Sequence, residues 1–358
     1  LVIVVIGAAV AINKENQSKN DNLKIGVISP LSGDFAGVGE NVVKGIKVAQ
    51  AVYIEKTGRK IDVIIEDDAA DAVKGLSAYR KLTESDKVNG LINVFTSTMD
   101  AIYEPTKTAG YPIMMEFFQA NNVADDHIFQ MTPGNDGTWD KYAAYIKKAG
   151  FDDSRFVLVH SQDAAQDSFA KVFESFYTGK ITDFTASIDK NGLRADAAKI
   201  AALKPTLILF IMTPENGAIL TKELLPLLDP KTQLTYDLQI VTGNSFYMDQ
   251  LGGDLSKLNG ALAISLEGEP NQEFIDAYHK LYNGEEPGFL ADFGYDTFLV
   301  YLQSHDKDNA KWTENIKATN RKGASGQIRF DKNGIRIPDL AVKKVIDGKL
   351  QTVDRLPF

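Results

Sequence analysis

The 358-residue chain has no cysteine, which excludes disulfides, thiol nucleophiles, cysteine-ligated zinc and iron–sulfur clusters. The acceptor of a bacterial lipoprotein anchor is missing with it. Histidine is almost as scarce: His127, His160, His279 and His305 show no H-E-x-x-H or other ligand spacing. His160 ends an apolar run and reads first as a satisfied core or edge histidine. Neither a G-x-S-x-G elbow nor a P-loop is present, and nothing unites a nucleophile, a base and an orienting group. No catalytic residue, cofactor or metal is expected, and no enzyme. Positive charge is in the minority, with 39 Lys and Arg against 48 Asp and Glu, so the net charge of -9 argues against nucleic acid as partner. Long apolar runs are lacking too. The run Leu1–Ile12 falls short of the ~20 residues that span a bilayer and gives way to a polar stretch, NKENQSKNDN. It reads as the end of a secretory signal, with an A-x-A-like site at Ala9-Val10-Ala11, or as the outer part of an uncleaved membrane anchor. A buried strand is the plainer alternative. The polar stretch looks like a tether, so export is expected.

At this length two domains are the default, and a content of 44% hydrophobic and 24% charged residues suits ordinary globular packing. Strand candidates are Lys24–Ile28, Ile61–Glu66, Gly90–Val94, Ile113–Glu116, Phe156–His160, Ile181–Ala186, Leu207–Met212, Gln239–Thr242 and Ala261–Ser265. Several are short apolar runs without alternation, as in parallel sheets covered on both faces. Helical patterns sit between them at Ala72–Glu84, Thr138–Ala149, Ser168–Phe176, Ala195–Leu203 and Glu215–Leu228. Repeated βαβ units imply an α/β fold with two parallel sheets in tandem, changing over near Thr132-Pro133-Gly134. Helical patterns return at Asn271–Tyr282 and Ala291–Gln303.

Three stretches carry more specific information. KIGVISPLSGDFAGVGENVVKGIKVA (24–49) is a strand, a polar loop and a helix whose Val42, Val43, Ile46, Ala49 and Val52 recur at helical spacing. Gly33, Gly37 and Gly39 do not make the dinucleotide G-x-G-x-x-G, but a strand–loop–helix unit can hold a small anionic or polar ligand. FGYDTFLVY spans Phe293–Tyr301, and GASGQIRFDKNGIR spans Gly323–Arg336, the latter with a hairpin signal at Asp331–Gly334. Together, in this order, they resemble the branched-chain amino-acid-binding family of periplasmic solute-binding proteins, which show P-L-[ST]-G, G-Y-D-A and G-x-T-G…F-D-x-x-G-x-R.

The resemblance covers the whole chain after the tether. It implies two Rossmann-like lobes joined by a three-crossover hinge, the type I architecture. The expected bounds are 1–22 for signal or anchor plus tether, 23–132 for lobe one, 133–266 for lobe two, 267–325 for a return to lobe one and 326–358 for a return to lobe two. The chain would cross back near Glu267–Pro270 and cross again at Gly323-Ala324-Ser325-Gly326.

Ligands of open α/β sheets bind beyond the carboxyl ends of the strands. That puts candidate walls at Ser29 to Phe35 (with Ser32), Thr96-Ser97-Thr98 and Glu116 to Gln119 in lobe one. In lobe two they are Ser161 to Asp167, Thr213 to Asn216 and Thr242 to Phe246. In the family a serine hydroxyl and the helix N–H groups after it hold the ligand carboxylate, which points to Ser97, then Thr98 and Thr96. Helix capping is the alternative for both Ser97 and Thr98.

The chain also departs from the amino-acid binders. Met115-Glu116-Phe117-Phe118-Gln119 replaces S-P-x-A-T. Ala164-Ala165 stands for Tyr-Gly, and Asn244 stands near the acidic partner of the ligand ammonium. Glu116 can restore the charge, and Phe117, Phe118 and Phe246 can line the ligand; core packing and a solvated strand end are the plainer readings. The acidic run Glu66-Asp67-Asp68 with Asp71 lacks calcium-loop spacing and reads as capping at the cleft rim. The implied function is capture of a small polar ligand by hinge closure, with delivery to an ABC permease in the membrane, by a monomer. A membrane-tethered sensing module of the same fold is the alternative.

Overall fold

The computed structural model describes residues 23–33, 35–116, 127–133, 138–162, 164–239, 255–266 and 271–356. The run at 1–22, Phe117, Phe118, Gln119, the 267–270 crossing, Asn244 and Phe246 lie outside them.

Five parallel strands form the first sheet: β1 (Leu23–Ser29), β2 (Ile61–Asp67), β3 (Gly90–Asn93), β4 (Ile113–Met115) and β5 (Ile128–Gln130). Their order is β2-β1-β3-β4-β5. Ile25, Val27, Ile28, Leu91, Ile92, Ile113 and Met114 are fully buried, as unalternating runs covered on both faces should be. Helix α1 (Ala36–Thr57) buries the predicted stripe Val42, Val43, Ile46, Ala49 and Val52. It is followed by α2 (Ala72–Arg80) and α3 (Thr96–Thr106). Asp71 caps α2 by accepting from the Val73 and Lys74 N–H groups at 3.0 and 2.9 Å, and a π turn at Lys81–Ser85 extends α2.

After α4 (Trp139–Lys148) the chain builds the second sheet: β6 (Phe156–Ser161), α5 (Ala164–Phe176), β7 (Ile181–Ala186), α6 (Lys190–Ala202), β8 (Leu207–Ile211), α7 (Pro214–Leu224), β9 (Gln233–Gln239) and β10 (Leu262–Leu266). Helices α8 (Gln272–Leu281), α9 (Ala291–Ser304) and α10 (Asn309–Lys317) follow, then a hairpin of β11 (Asn320–Gly323) and β12 (Gly326–Arg329). The chain ends in an antiparallel pair, β13 (Leu340–Ile346) and β14 (Lys349–Leu356), that completes the seven-stranded order β14-β13-β10-β9-β8-β6-β7.

Helices α8 and α9 return to the first lobe and pack on α1. Gly45 and Gly294 permit the close α1–α9 approach. A Cβ on Gly45 would lie 1.8 Å from the Ala291 carbonyl oxygen, and one on Gly294 would lie 2.2 Å from that of Val42. Residues 334–336 join the first sheet at its β5 edge: the Gln130 N–H donates to Gly334 O at 2.9 Å, and the Arg336 N–H to Gln130 O at 3.0 Å.

Several boundaries differ from expectation. β9 begins at Gln233 rather than Gln239, because Leu234 and Tyr236 supply its buried face. α5 begins at Ala164, so Ala164 and Ala165 open a helix instead of lying in a loop. Ala324 and Ser325 form the tight turn of the β11–β12 hairpin.

Candidate ligand cleft and family membership

Strand order locates the candidate site. In the order β2-β1-β3 the direction of winding reverses between β1 and β3, and the crevice outside the carboxyl ends of those two strands is where doubly wound sheets take ligands. Ser32 and Phe35 follow β1 there, and Thr96, Ser97 and Thr98 follow β3. The order β7-β6-β8 repeats the reversal in the second sheet. It puts Ser161 at the end of β6 and Thr213 after β8 at the matching point of lobe two.

Acidic side chains knit the lobe-one loops together. Asp67 Oδ1 accepts from the Leu31 N–H at 2.8 Å and the Ala69 N–H at 2.9 Å. Desolvation pushes the Asp67 carboxyl up, but hydrogen bonds from the Ser32 hydroxyl and the Leu31, Ala69 and Ser32 N–H groups outweigh it and hold it low. Asp68, fully buried, accepts from the Ala70 N–H at 3.0 Å and from the Thr98 hydroxyl. These bonds hold Ala69 and Ala70 at φ of 48° and 56°, a left-handed conformation that alanine rarely adopts. Glu66 pairs with Lys81 at 2.5 Å. The acidic run thus serves capping and loop anchoring.

Ser97 and Thr98 behave differently. The half-buried Ser97 hydroxyl donates to Ala70 O at 2.8 Å. Thr98 is fully buried, tied to Asp68, and packs against Gly75, where a Cβ would meet its hydroxyl at 2.4 Å. Neither side chain caps α3: its N-cap is Phe95, whose ring cannot accept a capping bond, and the first intrahelical bond runs from the Met99 N–H to Phe95 O at 3.3 Å. The Ser97 and Thr98 N–H groups precede that bond, at the positive end of the helix dipole, so this terminus can hold an anion. Beside it Phe35, 46% exposed, packs on Phe95 with ring centroids 4.8 Å apart. Phe95 escaped the sequence reading, although its place between the last β3 residues and Thr96-Ser97-Thr98 signals the cleft edge. A helix N-terminus beside an exposed Phe35 that packs on half-buried Phe95 has the chemistry to hold a carboxylate and its apolar body.

Glu116 is neither a solvated strand end nor exposed at the rim. Only 1% of it is exposed, and among the described residues neither carboxylate oxygen has a partner in hydrogen-bond geometry. Its backbone C=O accepts from the Thr132 N–H and hydroxyl at 3.2 and 2.6 Å. Burial pushes its carboxyl up to about 8; Asp292 and Asp296 add to this, while the nearby Thr297 hydroxyl and Arg336 oppose it. His160 is buried and satisfied, with Nδ1 3.1 Å from Ser161 O and Nε2 3.3 Å from the Thr185 hydroxyl and 3.2 Å from Asp183.

No curated protein matches the chain in sequence. Solved structures do share its fold. An R. palustris ABC transporter solute-binding protein in complex with benzoate is 19% identical, with a TM-score of 0.74 over 94% of this chain and 96% of that one. The Streptococcus pneumoniae branched-chain amino acid transporter substrate-binding protein LivJ, in complex with isoleucine, is also 19% identical, with a TM-score of 0.75 over 94% and 99%. A Rhodopseudomonas palustris BisB5 solute-binding protein in complex with 3,4-dihydroxybenzoic acid is 20% identical, with a TM-score of 0.73 over 94% and 98%. The family model described as periplasmic binding protein matches residues 22–349. With nearly the whole chain matched and two sheets wound in this order, the protein belongs to the periplasmic binding protein family and has its two-lobed type I fold.

Proposed function

We propose that the protein is an extracytoplasmic solute-binding component of an ABC importer that captures a small organic carboxylate with an apolar body. The observation that carries this reading is the α3 N-terminus, with Phe95 as its N-cap, at the β1–β3 switch point, beside the exposed Phe35 that packs on Phe95. The carboxylate sits on the Ser97 and Thr98 N–H groups, and the Ser97 hydroxyl turns from Ala70 O to donate to it, with Thr96 and Ser32 at the rim. The apolar body lies against Phe35. Lobe two closes over it. Closure is stabilised by contacts that exist only when both lobes touch the ligand, and a membrane permease reads the closed form.

Two considerations favour a simple carboxylate over an α-amino acid. The acid that the resemblance pairs with a ligand ammonium falls near Asn244, where this sequence has no acidic residue, and Glu116 is buried. Relatives of equal identity were solved with isoleucine and with benzoate, so the fold accommodates carboxylates of either kind. No sequence signature unites a nucleophile with a base, and the protein acts by binding, as a monomer without cofactor. Calorimetric titration with benzoate, 3,4-dihydroxybenzoate, isoleucine, leucine, small amides and short aliphatic acids tests the reading. It expects heat from carboxylates lacking an α-ammonium and weaker heat or none from amino acids; preference for amino acids would overturn the ligand class. The apolar Leu1–Ile12 run with its polar tether and no cysteine supports one second reading, a tethered sensor that signals closure.

A further inference from the structure

The hairpin before β13 is pinned to lobe one by buried hydrogen bonds. At its turn the Ala324 and Ser325 N–H groups donate to Asp296 of α9 at 2.8 and 2.7 Å, and the Ser325 hydroxyl donates to the same carboxylate at 2.6 Å. That hydroxyl in turn accepts from Arg336 Nη1 at 2.8 Å. Arg336 Nη2 donates to Ser325 O at 2.8 Å and Gln327 O at 2.9 Å, and Nε to Gln327 O at 3.1 Å. Asp296, Ser325 and Arg336 are all buried, so releasing any one of these bonds strands its partner away from water. Main-chain bonds extend the block. The Gln130 N–H to Gly334 O and the Arg336 N–H to Gln130 O fasten it to β5, and the Ile337 N–H donates to Arg329 O at 2.8 Å.

Three residues after Ile337 the chain is in the other sheet, where Leu340 opens β13 and pairs with Leu266 of β10. Only Pro338 and Asp339 stand between the block and lobe two. The proline ring fixes one of the few torsions available there. Asp339 is tethered: its Oδ1 accepts from Arg329 Nη2 at 2.6 Å, and both side chains are partly exposed. Arg329 closes β12 on the lobe-one side. Lys141 stands near the start of α4 in lobe two; burial pushes its ammonium down, and Asp140 and then Asp339 oppose that push. The carboxylate at the crossing therefore acts on a cation of each lobe and is bonded to the one on lobe one.

We propose that Pro338-Asp339, rather than the expected 323–326, is the pivot of this crossing, and that the Arg329–Asp339 ion pair holds the pivot in one setting. Cutting the pair widens the range of lobe angles that the ligand-free protein samples. The 323–337 block, clasped through Asp296, Ser325 and Arg336, travels with lobe one. The inference rests on the lobes moving about their crossings, as hinge closure requires, and not on what the cleft takes.

Because the chain has no cysteine, nitroxide labels can be placed by substitution alone. Lys47→Cys on α1, Lys322→Cys on β11 and Ser175→Cys on α5 use exposed positions, and electron–electron double resonance reads two pairs of them in the ligand-free full chain. The 47/322 pair should give one narrow distance, unchanged by Asp339→Asn. The 322/175 pair spans the pivot. A partly exposed ion pair biases an equilibrium by about 1.5- to 5-fold, so Asp339→Asn or Arg329→Gln should raise the share of molecules outside the main distance by that factor. Raising salt from about 0.1 M to about 1 M should do the same without these substitutions and nothing further with them, because screening shortens from about 10 Å to about 3 Å. A 322/175 spread equal with and without the ion pair, at either salt, would overturn its role while leaving lobe movement in place. A 47/322 distance that spreads with the other would move the pivot out of 338–339. One narrow 322/175 distance under every condition would remove the pivot and lobe movement together.

Discussion

Ser97→Ala and Thr98→Val remove neighbouring hydroxyls with opposite expected consequences. The Ser97 hydroxyl donates to a backbone carbonyl at 2.8 Å from a half-buried position, so its loss should cost about 0.5–1.5 kcal/mol of stability. If that hydroxyl turns to the ligand carboxylate, a charge-assisted bond worth about 1.5–3 kcal/mol replaces the neutral one, so its loss should weaken binding by about 1–1.5 kcal/mol, roughly a 5- to 12-fold rise in Kd. Thr98 reverses the balance. It and Asp68 are fully buried, and valine leaves Asp68 Oδ2 without this donor, at a cost of about 2–3 kcal/mol in stability. Because the Thr98 hydroxyl points to Asp68, its N–H remains for the ligand and Kd should change by less than about twofold. Urea denaturation gives the stability arm, and calorimetric titration with the tightest carboxylate gives the affinity arm. Unchanged affinity in Ser97→Ala would reduce Ser97 to a loop tie, and an equal loss in Thr98→Val would show that both act only through the fold.

Three further outcomes follow from the geometry. Glu116 binds its proton more tightly folded, at about 8, than unfolded, at 4.5, so the native state carries extra proton between those values and stability falls as pH rises across them. Glu116→Gln should remove that fall and be more stable than wild type at pH 8 by up to about 5 kcal/mol, as read by denaturation at pH 5 and pH 8. Gly45→Ala should destabilise lobe one by about 2 kcal/mol net, since overlap with the Ala291 carbonyl outweighs the ~1 kcal/mol gained in helix propensity, and thermal melts would register it. Phe35→Ala should leave stability nearly unchanged and weaken binding of apolar carboxylates by about 5- to 10-fold in titration.

The layered α/β architecture was readable because parallel strands buried on both faces, such as Phe156–His160 and Leu207–Met212, are short apolar runs that stand out against helical periodicity. β9 was misplaced because QLTYDLQ mixes Gln, Thr and Asp with its buried Leu234 and Tyr236 and so lacks an apolar run. The final β13–β14 pair turns at Asp347-Gly348, a recognised hairpin signal, but the expected pattern ended at the preceding hairpin. At the site, the three hydroxyl residues after β3 were legible by position. The division of labour between them was not, because it depends on Ala70 and Asp68 some 27 and 30 positions earlier in sequence. The burial of Glu116 was hidden for the same reason. Its neighbours Asp292, Asp296 and Arg336 are brought up by helix packing and by a strand-edge contact, neither of which leaves a local pattern.

Ligand-dependent compaction is the central claim, and small-angle scattering of the chain without residues 1–22, with and without the tightest carboxylate from the calorimetric panel, tests it most directly. Binding should shrink the radius of gyration as the lobes close, and Ser97→Ala should need correspondingly more ligand for the same change. A panel with no binder, or saturable binding that leaves the scattering curve unchanged, would contradict capture by hinge closure.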